Sequence, residues 1–291
     1  MNRLAKAMGL MGLVVAMLVA SMASVLAAEH VDWNSNVIRA TGGGVAPAGA
    51  RTIAQARMMA RRAAITDAYR QLAEYVGGVN VNAETTVDMA AVQSDVVKTK
   101  VQATIRGARI VSEGRTSDGG YEVTMEVPLF GVSSLASAVI ERPARVEAFP
   151  AQVPDVLPAP VETHDDGGWT SSSAAAAPDG KAIGTFTGLV VDCRGLGLKP
   201  VMSPVIKNAN GSPIYGYKNL DYDKVIEKGM ASYARDMAGA ERAGSHPLVV
   251  RAVAVENHGG TPVLSLADAN RVLIENGATH FLDATNVVFL R

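Results

Sequence analysis

Asp192-Cys193-Arg194 sets a thiol beside a guanidinium. A neighbouring positive charge lowers a thiol's pKa and favours the thiolate, which is the nucleophilic form. An enzyme of the Cys–His type would draw its base from His246, His258 or His280. None of the three stands at a spacing that marks such a pair, and a buried core cysteine followed by a surface arginine is the simpler account. His30, His164, His246, His258 and His280 form no i,i+4 pair and no His-x-His, so spacing supports no metal site. Asp165-Asp166 reads as solvating charge, and Asp221 and Asp223 as the start of a helix. Arg57, Arg61 and Arg62 suit phosphate or an acidic partner, but more simply form one solvated helix face.

The loop Arg194-Gly195-Leu196-Gly197-Leu198-Lys199-Pro200 carries two glycines and two cations after an apolar run. Loops that follow strands carry binding sites in α/β domains. Arg194, Gly195, Gly197 and Lys199 are therefore the expected contacts for a ligand or partner, against the plainer reading of a tight connection that needs glycine. Gly42-Gly43-Gly44 lacks both the G-x-G-x-x-G and the Gly-Lys-Ser/Thr of phosphate loops, and reads as a flexible turn ending a strand. No catalytic residue, no cofactor and no metal is expected.

The elements that would position these residues centre on Ala50–Gly78. There Ala56, Ala60, Ala64, Ala68, Leu72 and Val76 recur every fourth residue, the period of one helix face. A stripe of alanine lets a helix axis approach a sheet closely. Thr52 can cap the start and Gly77-Gly78 the end. Asn36–Thr41 precedes it as a strand. After it, alternation over Val79–Val87 predicts a strand, Ala91–Thr104 a helix, and Ala108–Glu113 and Tyr121–Val127 a hairpin about Ser117-Asp118-Gly119-Gly120. Val132–Ile140 is a short helix leading out. The order implies an antiparallel sheet with helices on one face.

Residues 142–182 hold Pro143, Pro150, Pro154, Pro158, Pro160 and Pro178, then Ser171–Ser173 and Ala174–Ala177. This composition predicts a flexible Pro/Ser/Ala-rich linker. Beyond it, Phe186–Asp192 reads as a central strand, Val201–Ile206 and Ile214–Tyr217 as a hairpin closed by Asn210-Gly211, and Tyr222–Met237 as a helix capped by Asp221. Leu248–Val255 is a further strand. Ser265-Leu266-Ala267-Asp268 caps a helix Leu266–Asn276 that Gly277 stops, and Thr279–Leu290 supplies one or two strands. The fold class is α+β or mixed α/β: domains at 31–141 and 183–291, each an antiparallel or mixed sheet with helices packed on it.

The first 28 residues read as an export signal. Arg3 and Lys6 precede the apolar run Leu10–Val19, and Val25 and Ala27 suit the −3 and −1 positions of a cleavage between Ala27 and Ala28. Removing them takes away two cations and no acid, moving the formal net charge from −1 to −3. Such a balance carries no electrostatic footprint for nucleic acid. No later stretch approaches the roughly 20 apolar residues of a membrane span. Cys193 is the single cysteine, so an exported chain would hold no internal disulfide.

Three stretches taken together, ARMMARRAAITDAYRQLAEYVGGVNVNAET, QSDVVKTKVQATIRGARIV and DGGYEVTMEVPL, resemble the twenty-kilodalton bacterial membrane lipoprotein family over about residues 36–130. They resemble more distantly the N-terminal domain of flagellar assembly protein T. The first resemblance implies an envelope protein with an α/β domain and no known catalytic residues. The second implies a role in a periplasmic ring around the basal body. The lipoproteins carry a lipid-modified cysteine near their start, and this chain has none there. The expectation is a non-catalytic, exported, periplasmic protein, soluble or peripheral to the outer membrane. Its partners would be envelope or flagellar proteins, or a second copy. The alternatives are a small-ligand or glycan binder using Arg194–Pro200, and an enzyme using Cys193.

Overall fold

The computed structural model describes residues 30–161, 163–165, 168–170 and 181–291, without side chains for 163–165 and 168–170. The signal segment 1–28 with its Ala27/Ala28 junction, and the Ser171–Ala177 stretch, lie outside the described residues. By internal contacts the chain forms two compact units.

The first unit gathers residues 30–32, Val37–Gly78 and Ala108–Glu126. Its sheet holds β1 (Val31–Asp32), β2 (Val37–Gly44), β3 (Arg109–Arg115) and β4 (Tyr121–Pro128, whose last two residues group with the second unit), in the order β1-β2-β4-β3. β1 is antiparallel to β2 and β3 to β4. Thr41 meets Thr124 and Arg39 meets Glu126, so partner numbers run in opposite directions and β2 is antiparallel to β4 as well. Strand β3 is the free edge, exposed along its whole length and bulged between Ile110 and Ser112. Charged side chains and a bulge are the usual means of keeping an exposed edge from pairing with other chains.

Helix α1 (Ile53–Gly77) lies on this sheet. Thr52 caps it by accepting the Gln55 N–H at 3.1 Å, and Gly78 returns its N–H to Glu74 at the far end. Ala60, Ala64, Ala68, Leu72 and Val76 are buried, as their spacing requires. The glycine triplet is a correction. It does not turn the chain: all three glycines lie in β2, and Gly42 and Gly44 face α1. A Cβ on Gly42 would stand 2.7 Å from Ala68 Cα, and one on Gly44 would stand 2.9 Å from Ala63 Cβ, closer than real atoms pack. A Cβ on Gly43 would meet nothing within 4 Å.

The second unit gathers Trp33–Asn36, Val79–Gly107 and Val127–Arg291. Its helices are α2 (Val87–Gln93), α3 (Asp95–Arg106), α4 (Leu135–Val139), α5 (Tyr222–Lys228) and α6 (Leu266–Thr279). β5 (Thr163–Asp165) and β6 (Gly168–Thr170) make a small antiparallel pair. The main sheet uses β7 (Gly188–Asp192), β8 (Ile206–Asn208), β9 (Pro213–Tyr215), β10 (Ser232–Ala234), β11 (Pro247–Glu256), β12 (Thr261–Leu264) and β13 (Val287–Leu290). Their order is β10-β13-β7-β11-β12-β8-β9. β10, β13, β7 and β11 run parallel, β12 turns antiparallel to β11, and β9 pairs antiparallel with β8. Every residue of β7 and β13 is buried, as suits central parallel strands. The architecture is α+β in two units.

Several expected elements differ. Val79–Val87 forms no strand beyond one bridge between Asn80 and Thr86. The Asn82 carboxamide accepts from the N–H groups of Glu84 and Thr85, folding the segment into a turn. The helix expected over Ala91–Thr104 is two, because Ser94 ends α2 and its hydroxyl caps α3. The helix expected to reach Met237 stops at Lys228. Gly229 takes φ of 76°, and Met230 and Tyr233 are buried around the strand β10 instead. The apolar spacing of a helix face arises here from two different elements that each contribute to one core. α6 runs past Gly277 to a left-handed His280, while Ser265 accepts the Asp268 N–H as the capping box predicts.

The proline-rich stretch is bound through its first half. The Glu147 N–H bonds the Lys218 carbonyl at 2.8 Å, Asn270 bonds both the N–H and the carbonyl of Val153, and the Ala159 N–H bonds the Ala267 carbonyl at 2.9 Å. Residues 147–159 therefore lie fastened within the second unit and do not run as a free tether.

Candidate functional site

Cys193 follows β7 and is fully buried. Burial pushes its thiol up to about 12, and the Asp192 charge adds to the shift. A thiol protonated and enclosed at neutral pH is not a nucleophile. Arg194 does not offset this, because its guanidinium turns back onto Asp192, with Nε at 3.0 Å and Nη2 at 2.8 Å from the carboxylate oxygens. The histidines stand elsewhere. His246 stacks on Phe186 at 5.2 Å, His280 caps α6 and lies 3.6 Å from Asp283, and His258 is exposed in the turn after β11. The environment of Cys193 is thus set by Asp192 and burial, and the proposed thiol–imidazole pair does not form.

The loop after β7 is a tight connection. Gly195 and Gly197 take φ of 79° and 72°, which glycine adopts at least cost. The Leu196 N–H bonds the Cys193 carbonyl at 3.0 Å, and the Lys199 N–H bonds the Gly259 carbonyl at 2.8 Å. Both glycines and Lys199 are exposed, while Arg194 serves Asp192. Among the described residues no group of three or more His, Cys, Asp or Glu could hold a metal ion. No described helix is long and apolar enough to cross a membrane.

A site that spacing did not point to lies in the first unit. A cleft of about 520 Å³ is lined by His30, Asp32, Arg39, Thr41, Gln71 and Tyr75. Its position follows from the sheet. Among the described residues β1 pairs only with Val37 and Ile38, and one further bond runs from the Arg39 N–H to the His30 carbonyl. The side of β2 beyond Arg39 is flanked instead by polar side chains of α1. Asp67 accepts the Gly43 N–H at 3.1 Å and the Gln71 amide at 2.8 Å, and the Tyr75 hydroxyl donates to Gln71 at 3.2 Å. The Tyr75 ring carries His30 stacked at 3.8 Å and 7°. Hydrogen bonding from Arg70, joined by the Gly43 N–H, holds the Asp67 carboxyl below its usual value.

The charged residues of the cleft, Arg39 and Asp32, are paired, and Arg39 ties the cleft to a neighbouring ion cluster. Arg39 Nε lies 2.9 Å from Glu126, Arg109 Nη2 lies 2.7 Å from its other oxygen, and Arg39 Nη1 lies 3.6 Å from Asp32. Glu126 is buried beneath the two arginines. The cleft presents donors and acceptors of both signs beside an aromatic stack, which suits a polar ligand and supplies no activated nucleophile. The only sequence trace of it is the i,i+4 spacing of Asp67, Gln71 and Tyr75. The remaining residues come from β1 and β2 and are assembled by folding.

Comparison with known families gives two matches, each to part of the chain. Residues 188–291 match the model of the second domain of Treponema pallidum Tp0624. No curated protein matches the chain. Residues 43–128, which span the end of β2, α1, α2, α3 and the hairpin β3–β4, match the LPP20 lipoprotein model, so this part of the chain is similar to those lipoproteins, as its sequence resemblance implied.

Proposed function

We propose that this chain is a non-catalytic exported envelope protein with a scaffolding or assembly role, acting in the periplasm or at the periplasmic side of the outer membrane. The observation that carries the reading is the match of residues 43–128 to the LPP20 lipoproteins, in a chain whose first residues have the composition of an export signal. The buried, protonated Cys193 gives a catalytic reading no support. A link to the flagellar basal body is the finer form of the proposal and rests on the resemblance of the first domain alone. The test is affinity capture of the tagged full chain from periplasm, together with motility of a deletion strain. Recovery of envelope or flagellar components supports the role. Capture of none, with normal motility and an intact envelope, removes it.

Small-ligand or glycan binding is a second reading. The cleft around Arg39 and Tyr75 favours it over the Arg194–Pro200 loop, because Arg194 is committed to Asp192. A thermal-shift screen of the full chain against sugars and amino acids should show a rise that Gln71→Ala abolishes. The same screen unchanged by Gln71→Ala but altered by Lys199→Ala would return the site to the loop.

A further inference from the structure

Helix α6 binds main chain with side chains that are themselves buried. Asn270, Arg271 and Glu275 are at most 4% exposed. Asn270 donates to the carbonyls of Val153 and Val156 at 3.0 and 2.8 Å and accepts the Val153 N–H at 2.7 Å. Arg271 Nε donates to the Ala159 carbonyl at 2.7 Å, and its Nη1 reaches both the Lys181 carbonyl at 3.3 Å and Glu275 at 3.1 Å. Glu275 in turn accepts the N–H groups of Ile183 and Gly184 at 2.9 Å. One buried ion pair thus bonds two separate segments of main chain. Ala159 and Pro160 line a cavity of about 110 Å³ together with Leu248, Val250, Asp268 and Arg271.

We propose that Arg271 and Glu275 work as a single latch that holds Ala159 and residues 181–184 on α6, so that both segments open together and uncover the cavity that Ala159 and Pro160 line against β11. The physical reason is the cost of stripping the pair of its main-chain partners, since both groups stand on α6 and stay together when a segment leaves. A buried charge left short of hydrogen-bond partners is strongly unfavourable. Freeing residues 181–184 removes bonds from both charged groups, and freeing Ala159 removes the Nε bond of Arg271, the partner that holds Glu275. Asn270 is a separate anchor, since it bonds only Val153 and Val156.

The test is hydrogen exchange at single-amide resolution on the full chain. In Arg271→Met, the amides of Ala159, Ile183 and Gly184 should exchange at least about tenfold faster, the scale of one lost charge-assisted bond, while β7 and β13 amides keep their rates. If that variant fails to fold, Glu275→Gln carries the test, because it keeps the side-chain volume and one acceptor; the same joint acceleration is expected. In Asn270→Ala only Val153 should accelerate. Acceleration confined to one of the two segments in the charge variants would overturn the latch. Acceleration of all of these amides in Asn270→Ala would move the coupling off the ion pair and overturn it equally.

Discussion

Gly42 of β2 lies directly under Ala68 of α1, so close that a Cβ on the glycine would stand 2.7 Å from the alanine Cα. Neither residue has a side chain beyond a methyl, and that is what sets the helix on the strand at this distance. Gly42→Ala and Gly44→Ala should each destabilise the protein by about 1–3 kcal/mol, the range for overpacking a filled core. Gly43→Ala, which meets nothing, should stay within about 0.5 kcal/mol of wild type. Urea unfolding followed by circular dichroism separates the three. Equal costs at all three positions would mean that backbone freedom, not close approach, is what the glycines supply.

Arg242 holds a corner of the second unit through three carbonyls and one hydroxyl. Its guanidinium donates to the carbonyls of Lys228, Gly229 and Thr285 and to the Thr285 hydroxyl, and burial pushes its pKa down. Arg242→Met would strip these acceptors of their donors and should cost about 3 kcal/mol or more. Arg242→Lys should recover little, because an ammonium cannot span the fork. Thermal melts of the two variants decide the matter, and a full rescue by lysine would show that charge alone is required.

Cys193 should resist iodoacetamide in the native protein and react on unfolding, since its thiol is buried and pushed up to about 12. Mass spectrometry before and after denaturant reads the outcome. Native labelling at neutral pH would restore Cys193 as a reactive centre.

Two carboxylates should respond to pH with opposite sign. Asp67 is held below its usual value by Arg70, so its contribution is present above pH 5 and fades as pH falls through the lowered value. Asp268 is raised by burial, opposed by its bond from Ser265, so the fold prefers it protonated and loses stability as pH rises from 3.8 through the raised value. Asp67→Asn should therefore lower stability at pH 7 and match wild type near pH 2. Asp268→Asn should equal or exceed wild type at pH 7 and lose that advantage below pH 4. Melting temperatures across pH 2–8 test both, and parallel profiles for the two variants would refute the assignment.

Signals that act within one turn of chain were legible in the sequence. The Ala60–Ala64–Ala68 stripe, the caps at Thr52, Asp221 and Ser265, and the turn at Asn210-Gly211 each depend on groups one to four residues apart, and the structure holds all of them. What tertiary structure decided is where the partner of a pattern came from elsewhere in the chain. Gly42–Gly44 became strand because α1 lies against it. Met230 and Tyr233 left the helical period because Gly229 broke it and β13 offered a ladder. Residues 147–159 were fastened because α6 carries Asn270 and Arg271. The cleft at Arg39 and Tyr75 exists only once β1, β2 and α1 meet. Composition and period record which residues are to be buried, but the surface that buries them belongs to another segment, and only the folded chain brings the two together.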